Sequence, residues 1–241
     1  MASVAEEAVR RTRLGVEALA GSVLAARSEP ERLGYLAAGE LTVWAKLFGW
    51  RRLHSALKPT LLPLLAGTVL RADAAAGEKA TLLAGLTAGW LGDVEKTRTP
   101  ARASVPGFAG VAGQHAAYSR ALLGRGARAS GSGAVLRGAV WAAGVGLSAR
   151  KRRQLVPAVT IAGAAVTVTS TLADDRDLQD GSTARQGLGH GANLVLVSEG
   201  LTLLRSAVFT KDNALGRVID AGTAATSFFG HLLLVDGLAR K

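Results

Sequence analysis

The amino-acid sequence predicts an all-α fold, a polytopic membrane helical bundle of about eight transmembrane helices. Three observations point there. Residues 154–173, QLVPAVTIAGAAVTVTSTLA, contain no Asp, Glu, Lys or Arg, and a helix needs about 20 apolar residues to cross a bilayer core. Residues 103–119 are also free of those four types. Basic residues punctuate the apolar runs instead of lining a face: Arg51 with Arg52, Arg125 with Arg128, and Arg150 through Arg153. Finally, the 241 residues are 49% hydrophobic with mean hydropathy +0.24, yet carry a net charge of +11.

That composition excludes several classes. The hydrophobic content is too high for a disordered chain. With no cysteine there is no disulfide framework and no Cys-ligated zinc. Nucleic acid is not an expected partner, because such binders interleave basic residues with aromatics along one surface, and aromatics are only 5% here. Membrane lipids are the expected partners. The competing reading is a soluble helical bundle, since weakly hydrophobic Ala and Gly supply much of the apolar count.

Residues 1–32 form a charged amphipathic N-terminal segment ending near Ser28-Glu29-Pro30. Acidic residues stand where a signal peptide would be basic. Residues 33–238 form the eight-helix membrane domain, with segments at 33–50, 58–71, 77–93, 107–124, 133–149, 153–174, 187–208 and 214–238. Pro59 is expected in the first turn of the second segment, where a missing N–H costs nothing. Pro106 precedes the fourth, and Ser130-Gly131-Ser132 separates the fourth from the fifth. The polar run from Asp174 to Ser182 separates the sixth from the seventh. β-Branched residues crowd Val166 to Thr171, but a lone strand in lipid would leave its backbone unsatisfied. The pairs Gly85/Gly89 and Gly187/Gly191 have the spacing that lets membrane helices approach closely. Arg51, Arg52, Lys96, Arg98, Arg102 and the Arg150–Arg153 loop fall on one side of an eight-span arrangement. The positive-inside rule puts that side in the cytoplasm and both termini outside, whereas the five arginines of residues 1–32 argue for the opposite orientation.

Ionisable groups within apolar segments are the informative ones, because burying them is costly unless they pair or work. Asp93 closes TLLAGLTAGWLGD and Glu199 sits within GANLVLVSEGLTLL. His115 and Tyr118 are three apart and share a helix face. His231 lies in FFGHLLLV, and Lys58 opens the second segment. Lys58 is free to snorkel to phosphate or to pair with Asp93; Arg137 is free to snorkel or to pair with a carboxylate. A rival metal reading would use His115, His190, His231 and Asp93, ligand types that zinc accepts, but no HExxH-like spacing exists. No metal and no cofactor is expected. The run GLGHG at 187–191 lacks the preceding strand and the spacing of a dinucleotide fingerprint.

The order of these motifs is more specific than any one of them. KPTLLPLLAG from Lys58, AGLTAGWLGD ending at Asp93, FAGVAGQHAAYSRAL around His115 and Tyr118, and GANLVLVSEGLTLLRSAVF around Glu199 together resemble the YhhN/TMEM86 family. These are eight-span membrane proteins that include the lysoplasmalogenases. The chain departs from the family pattern where Glu199 follows Ser198 in place of Asp, where Phe228 and His231 stand near a usual Tyr and Gln, and where no Tyr follows Pro157.

The resemblance implies a multi-pass protein of a bacterial plasma membrane that hydrolyses the vinyl-ether bond of a lysoplasmalogen-type lysolipid. Protonation of the vinyl ether on carbon gives an oxocarbenium-like cation that water attacks. Paired acids suit this chemistry, as in glycosidases. Asp93 and Glu199 are the catalytic candidates, without assignment of acid and base. Lys58, His115, Tyr118 and His231 are the substrate-binding candidates. The alternative is a non-enzymatic membrane protein or transporter whose carboxylate pair relays protons.

Overall fold

The computed structural model describes residues 4–98 and 105–240. Within them the chain forms eleven α-helices, two 3₁₀ turns and no strand. α1 covers Val4–Leu24, α2 Pro30–Phe48, α3 Arg51–Arg71, α4 Ala76–Arg98, α5 Val105–Gly124, α6 Gly131–Lys151 and α7 Val156–Ala173. Two one-turn helices follow, α8 at Arg176–Gln179 and α9 at Thr183–Gln186. α10 covers Leu188–Ala207 and α11 Ala214–Ala239. Each of the eight expected segments corresponds to one long helix after α1. The stretch Val166 to Thr171 is helical, and Arg102 lies outside the described residues.

Several boundaries move. α3 starts seven residues earlier than expected, so Pro59 and Pro63 lie inside it. An internal proline has no N–H to give to the carbonyl four residues before it. Pro63 therefore releases the carbonyl of Pro59, and the indole N–H of Trp90 on α4 donates to that oxygen at 2.9 Å. The helix keeps its path because a neighbour supplies the lost donor. α4 runs on to Arg98, which places Asp93 inside the helix rather than at its end.

Among the described residues, hydropathy alone identifies two helices long and apolar enough to cross a membrane, Arg153–Ala173 and Ala214–Ala239. The other long helices carry charged residues along their length, such as Arg32, Lys58 and Arg137. Tertiary pairing takes up several of these. Arg137, 8% exposed, bonds the Asn193 side chain and Ser170 and lies 3.2 Å from Asp174.

Small residues decide how closely the helices meet. Gly92 and Gly110 put α4 and α5 in backbone contact: a Cβ on Gly110 would sit 2.6 Å from the Ala88 carbonyl. Gly85 and Gly89 face Ala117 and Gln114 of α5. Gly191 and Gly230 do the same for α10 and α11, and Gly187 packs on Ala18 and Leu233. Both glycine pairs singled out in the sequence thus lie at close helix contacts. α11 stands centrally, against α2, α3, α4, α5 and α10. Around it Tyr35, Leu65, Leu82, Leu86, Tyr118, Leu122 and Leu232 form the core.

A second polar cluster was not legible in advance. Arg32 donates two hydrogen bonds to Asp236, at 2.5 and 2.6 Å, with both side chains at most 2% exposed. Ser22 of α1 bonds the same carboxylate at 2.5 Å, and Glu29 bridges Arg32 and Arg240. This cluster ties α1 and the start of α2 to the end of α11.

Candidate functional site

Four helices bring the expected site residues together. Lys58 on α3 donates to Asp93 on α4 at 2.9 Å, and their side chains are 25% and 16% exposed. Antiparallel packing of α3 on α4 sets this pair, and Trp90, one turn before Asp93, ties the same two helices. Of the two roles open to Lys58, pairing with Asp93 is the one realised.

Beside the pair stand three rings. His115 and Tyr118, one turn apart on α5, meet edge to face with centroids 5.6 Å apart. His231 of α11 lies 6.4 Å from each. His115 and Tyr118 are fully buried and His231 is half-buried. Nδ1 of His231 donates to the Ser227 carbonyl at 2.8 Å, so in the neutral ring Nε2 keeps its lone pair. That Nε2 and the Nδ1 of His115 are buried and have no hydrogen-bond partner among the described residues. Buried polar atoms nearly always have one, so the two nitrogens mark a place where a polar ligand atom can be held.

Glu199 of α10 is half-buried and makes no hydrogen bond or ion pair among the described residues. His231 lies within electrostatic range of Asp93, Lys58 and Glu199 alike. α3, α4, α5 and α11 supply the contacting side chains, and α10 supplies a carboxylate at the edge.

Two supporting residues escaped the sequence reading. Gln114 donates to the Tyr118 hydroxyl at 2.9 Å. Its signal was present in the sequence, since Gln114 precedes His115 and sits four residues before Tyr118. Tyr35 donates to the Phe228 carbonyl at 2.8 Å, and the two rings pack 5.1 Å apart. Phe228 thus fills core against α2. The rival metal reading fails on geometry: His190 donates Nε2–H to the Arg11 carbonyl at 2.7 Å, on the α1 side of the molecule. No three potential ligands gather among the described residues. Two surface clefts, one at Val208–Asn213 and one lined by Arg11, Arg128 and Asp174, lie apart from the cluster.

No curated protein and no solved structure matches the chain. A family profile described as the YhhN family matches residues 53–238. The match spans α3 through α11 and so includes every helix that contributes to the cluster. On that match the chain belongs to the YhhN family.

Proposed function

We propose that the chain is a multi-pass membrane hydrolase that cleaves the vinyl-ether bond of lysoplasmalogen-type lysolipids. The observation that carries this reading is the cluster of one ion-paired carboxylate, two imidazoles with unpartnered nitrogens and a tyrosine, inside an otherwise apolar bundle. Family membership supports it, since the family resembled includes enzymes of this kind.

In this reading α2 to α7, α10 and α11 cross the bilayer. Large apolar side chains face outward on them, among them Leu41, Leu70, Leu91, Leu136, Ile161, Val197 and Val218. Soluble proteins seldom expose so much large apolar surface. The end of the bundle carrying Arg51 and Arg150–Arg153 faces the cytoplasm, and α1 lies at the opposite end.

In this reading Asp93, bonded to an ammonium, acts as the carboxylate, and Glu199, without an ion pair among the described residues, acts as the acid. Glu199 protonates the β-carbon of the vinyl ether, and the ether oxygen shares the resulting positive charge. Asp93 stabilises that cation and takes a proton from attacking water, which gives the hemiacetal. The hemiacetal hydroxyl then returns its proton to Glu199, and the departing glyceryl oxygen takes one from Asp93. The products are a fatty aldehyde and a glycerophospho-alcohol, with both carboxyls restored. His115 and His231 hold the water, and Tyr118, fixed by Gln114, orients them.

Detergent-solubilised protein incubated with an alkenyl lysolipid is expected to release aldehyde, and not to release it from the saturated alkyl-ether analogue. Failure to release aldehyde from any alkenyl lysolipid in a panel of head groups would overturn the reading.

A further inference from the structure

The hairpin between α2 and α3 carries cations that the mechanism leaves unused. It turns at Gly49, where φ is +73°. The Gly49 N–H meets the carbonyls of Ala45 and Lys46, and the Trp50 N–H meets that of Ala45 at 2.7 Å. The left-handed turn sets the last turn of α2, which carries Lys46, beside the first turn of α3, which carries His54. Lys46 is half-buried and makes no hydrogen bond or ion pair among the described residues. His54 is also half-buried, and its Nδ1 is buried without a partner. Lys46, His54 and Lys58 lie within electrostatic range of one another. Lys96, three residues after Asp93, adds a further cation within range of that carboxylate.

Among the described residues two carboxylates lie within electrostatic range of this group, and each is already engaged. Asp93 is held by Lys58, and Asp220 is held by Arg205 at 3.2 Å. A half-buried ammonium without a counter-ion is costly, and an incoming anion offsets that cost. Depth along the bundle suggests which anion. Trp44, Phe48 and Trp50 are exposed on the same hairpin and pack at 5.7 and 5.2 Å between centroids. Exposed Trp in a membrane helix marks the headgroup level. Lys58 follows His54 by four residues, one helical turn or about 5.4 Å deeper. A three-carbon glycerol unit spans that step.

We propose that Lys46 and His54 form a subsite for the phosphate of the lysolipid, one turn nearer the membrane surface than the Lys58–Asp93 pair, and that this subsite selects phosphate-bearing substrates. The assignment rests on the hydrolase reading above and deepens it. Lys46 gives the charge, the His54 ring gives a hydrogen bond, and the glycerol unit leads the vinyl ether down to Asp93.

The test compares an alkenyl-glycero-phosphoethanolamine with the alkenyl-glycerol of the same chain, on purified full-length protein in detergent. In Lys46→Ala the ratio of kcat/KM for the phosphate-bearing over the phosphate-free substrate is expected to fall at least tenfold, through KM. Lys46→Arg is expected to restore it. An unchanged ratio in Lys46→Ala overturns the subsite. If the parent releases aldehyde from neither substrate, the hydrolase reading fails separately. The subsite is then read by binding of lysophosphatidylethanolamine: tenfold weaker binding to Lys46→Ala supports it, and equal binding overturns it. Inorganic phosphate is expected to compete only at millimolar levels. Competition at micromolar levels would assign the subsite to free phosphate and overturn the lipid assignment.

Discussion

Lys58 and Asp93, 35 residues apart in sequence, meet at 2.9 Å between α3 and α4, each shielded from most solvent contact. The pair is both a brace between two helices and part of the proposed chemistry, and these roles separate experimentally. Removing one partner of a buried pair leaves an uncompensated charge and costs roughly 3–5 kcal/mol; partial exposure puts this pair at or below the low end. Asp93→Asn is expected to lower both thermal stability in detergent and aldehyde release. Combining it with Lys58→Met is expected to recover stability while activity stays lost. Recovery of activity in the double variant would remove Asp93 from the chemistry.

Glu199 offers the opposite case, because no ion pair depends on it among the described residues. Glu199→Gln is expected to leave the unfolding temperature within a few degrees of the parent. Aldehyde release should fall by about 10²–10⁴, the usual worth of a positioned acid. Glu199→Asp, which keeps the carboxyl and shortens its stem by one methylene, is expected to keep measurable activity. Steady-state kinetics beside a thermal melt check all three.

The α4–α5 contact is set by backbone rather than by side chains. A methyl group at Gly110 would meet the Ala88 carbonyl and the Gly92 backbone at 2.6 Å, and backbone cannot swing away as a flexible side chain can. Gly110→Ala is expected to destabilise by about 1–3 kcal/mol, the range for overpacking. Gly131→Ala, where nothing lies within 4 Å of the added carbon, is expected to be near neutral. Denaturation of the two variants in the same detergent makes the comparison.

Glu29, in the turn before α2, gives a pH dependence. Burial pushes its pKa up, but hydrogen bonds and charge from Arg32 and Arg240 outweigh that and hold it below the usual carboxylate range. A depressed folded pKa means that the stabilisation is fully present above the unfolded value, about 4.3, and is lost as pH falls through the folded one. Glu29→Gln is therefore expected to be less stable than the parent at neutral pH. The gap should close on acidification below the unfolded value. Unfolding temperatures of parent and variant across that range test the sign.

Part of the site could be read directly from residue order. His115 and Tyr118 share a face because three residues make nearly one helical turn, and Gln114 falls into register with Tyr118 for the same reason. The pairing of Lys58 with Asp93 was one of two options, because a lysine stem can snorkel or bond and only the packing of α3 on α4 decides. The Arg32–Asp236 clasp was hidden. Its partners are 204 residues apart, and an Asp near the end of an apolar helix looks the same whether it faces water or a buried arginine.

The sequence by itself determined the helices. Charge-free runs, Gly and Ser breaks and the placement of basic clusters are local properties, and backbone hydrogen bonding turns them into elements close to where they were expected, except that α3 starts seven residues early and α4 runs five residues further. Only tertiary structure decided which charges are neutralised and which histidine nitrogens are left without partners. Those outcomes depend on Coulombic and packing contacts between residues far apart along the chain, fixed where glycine faces let one helix approach another.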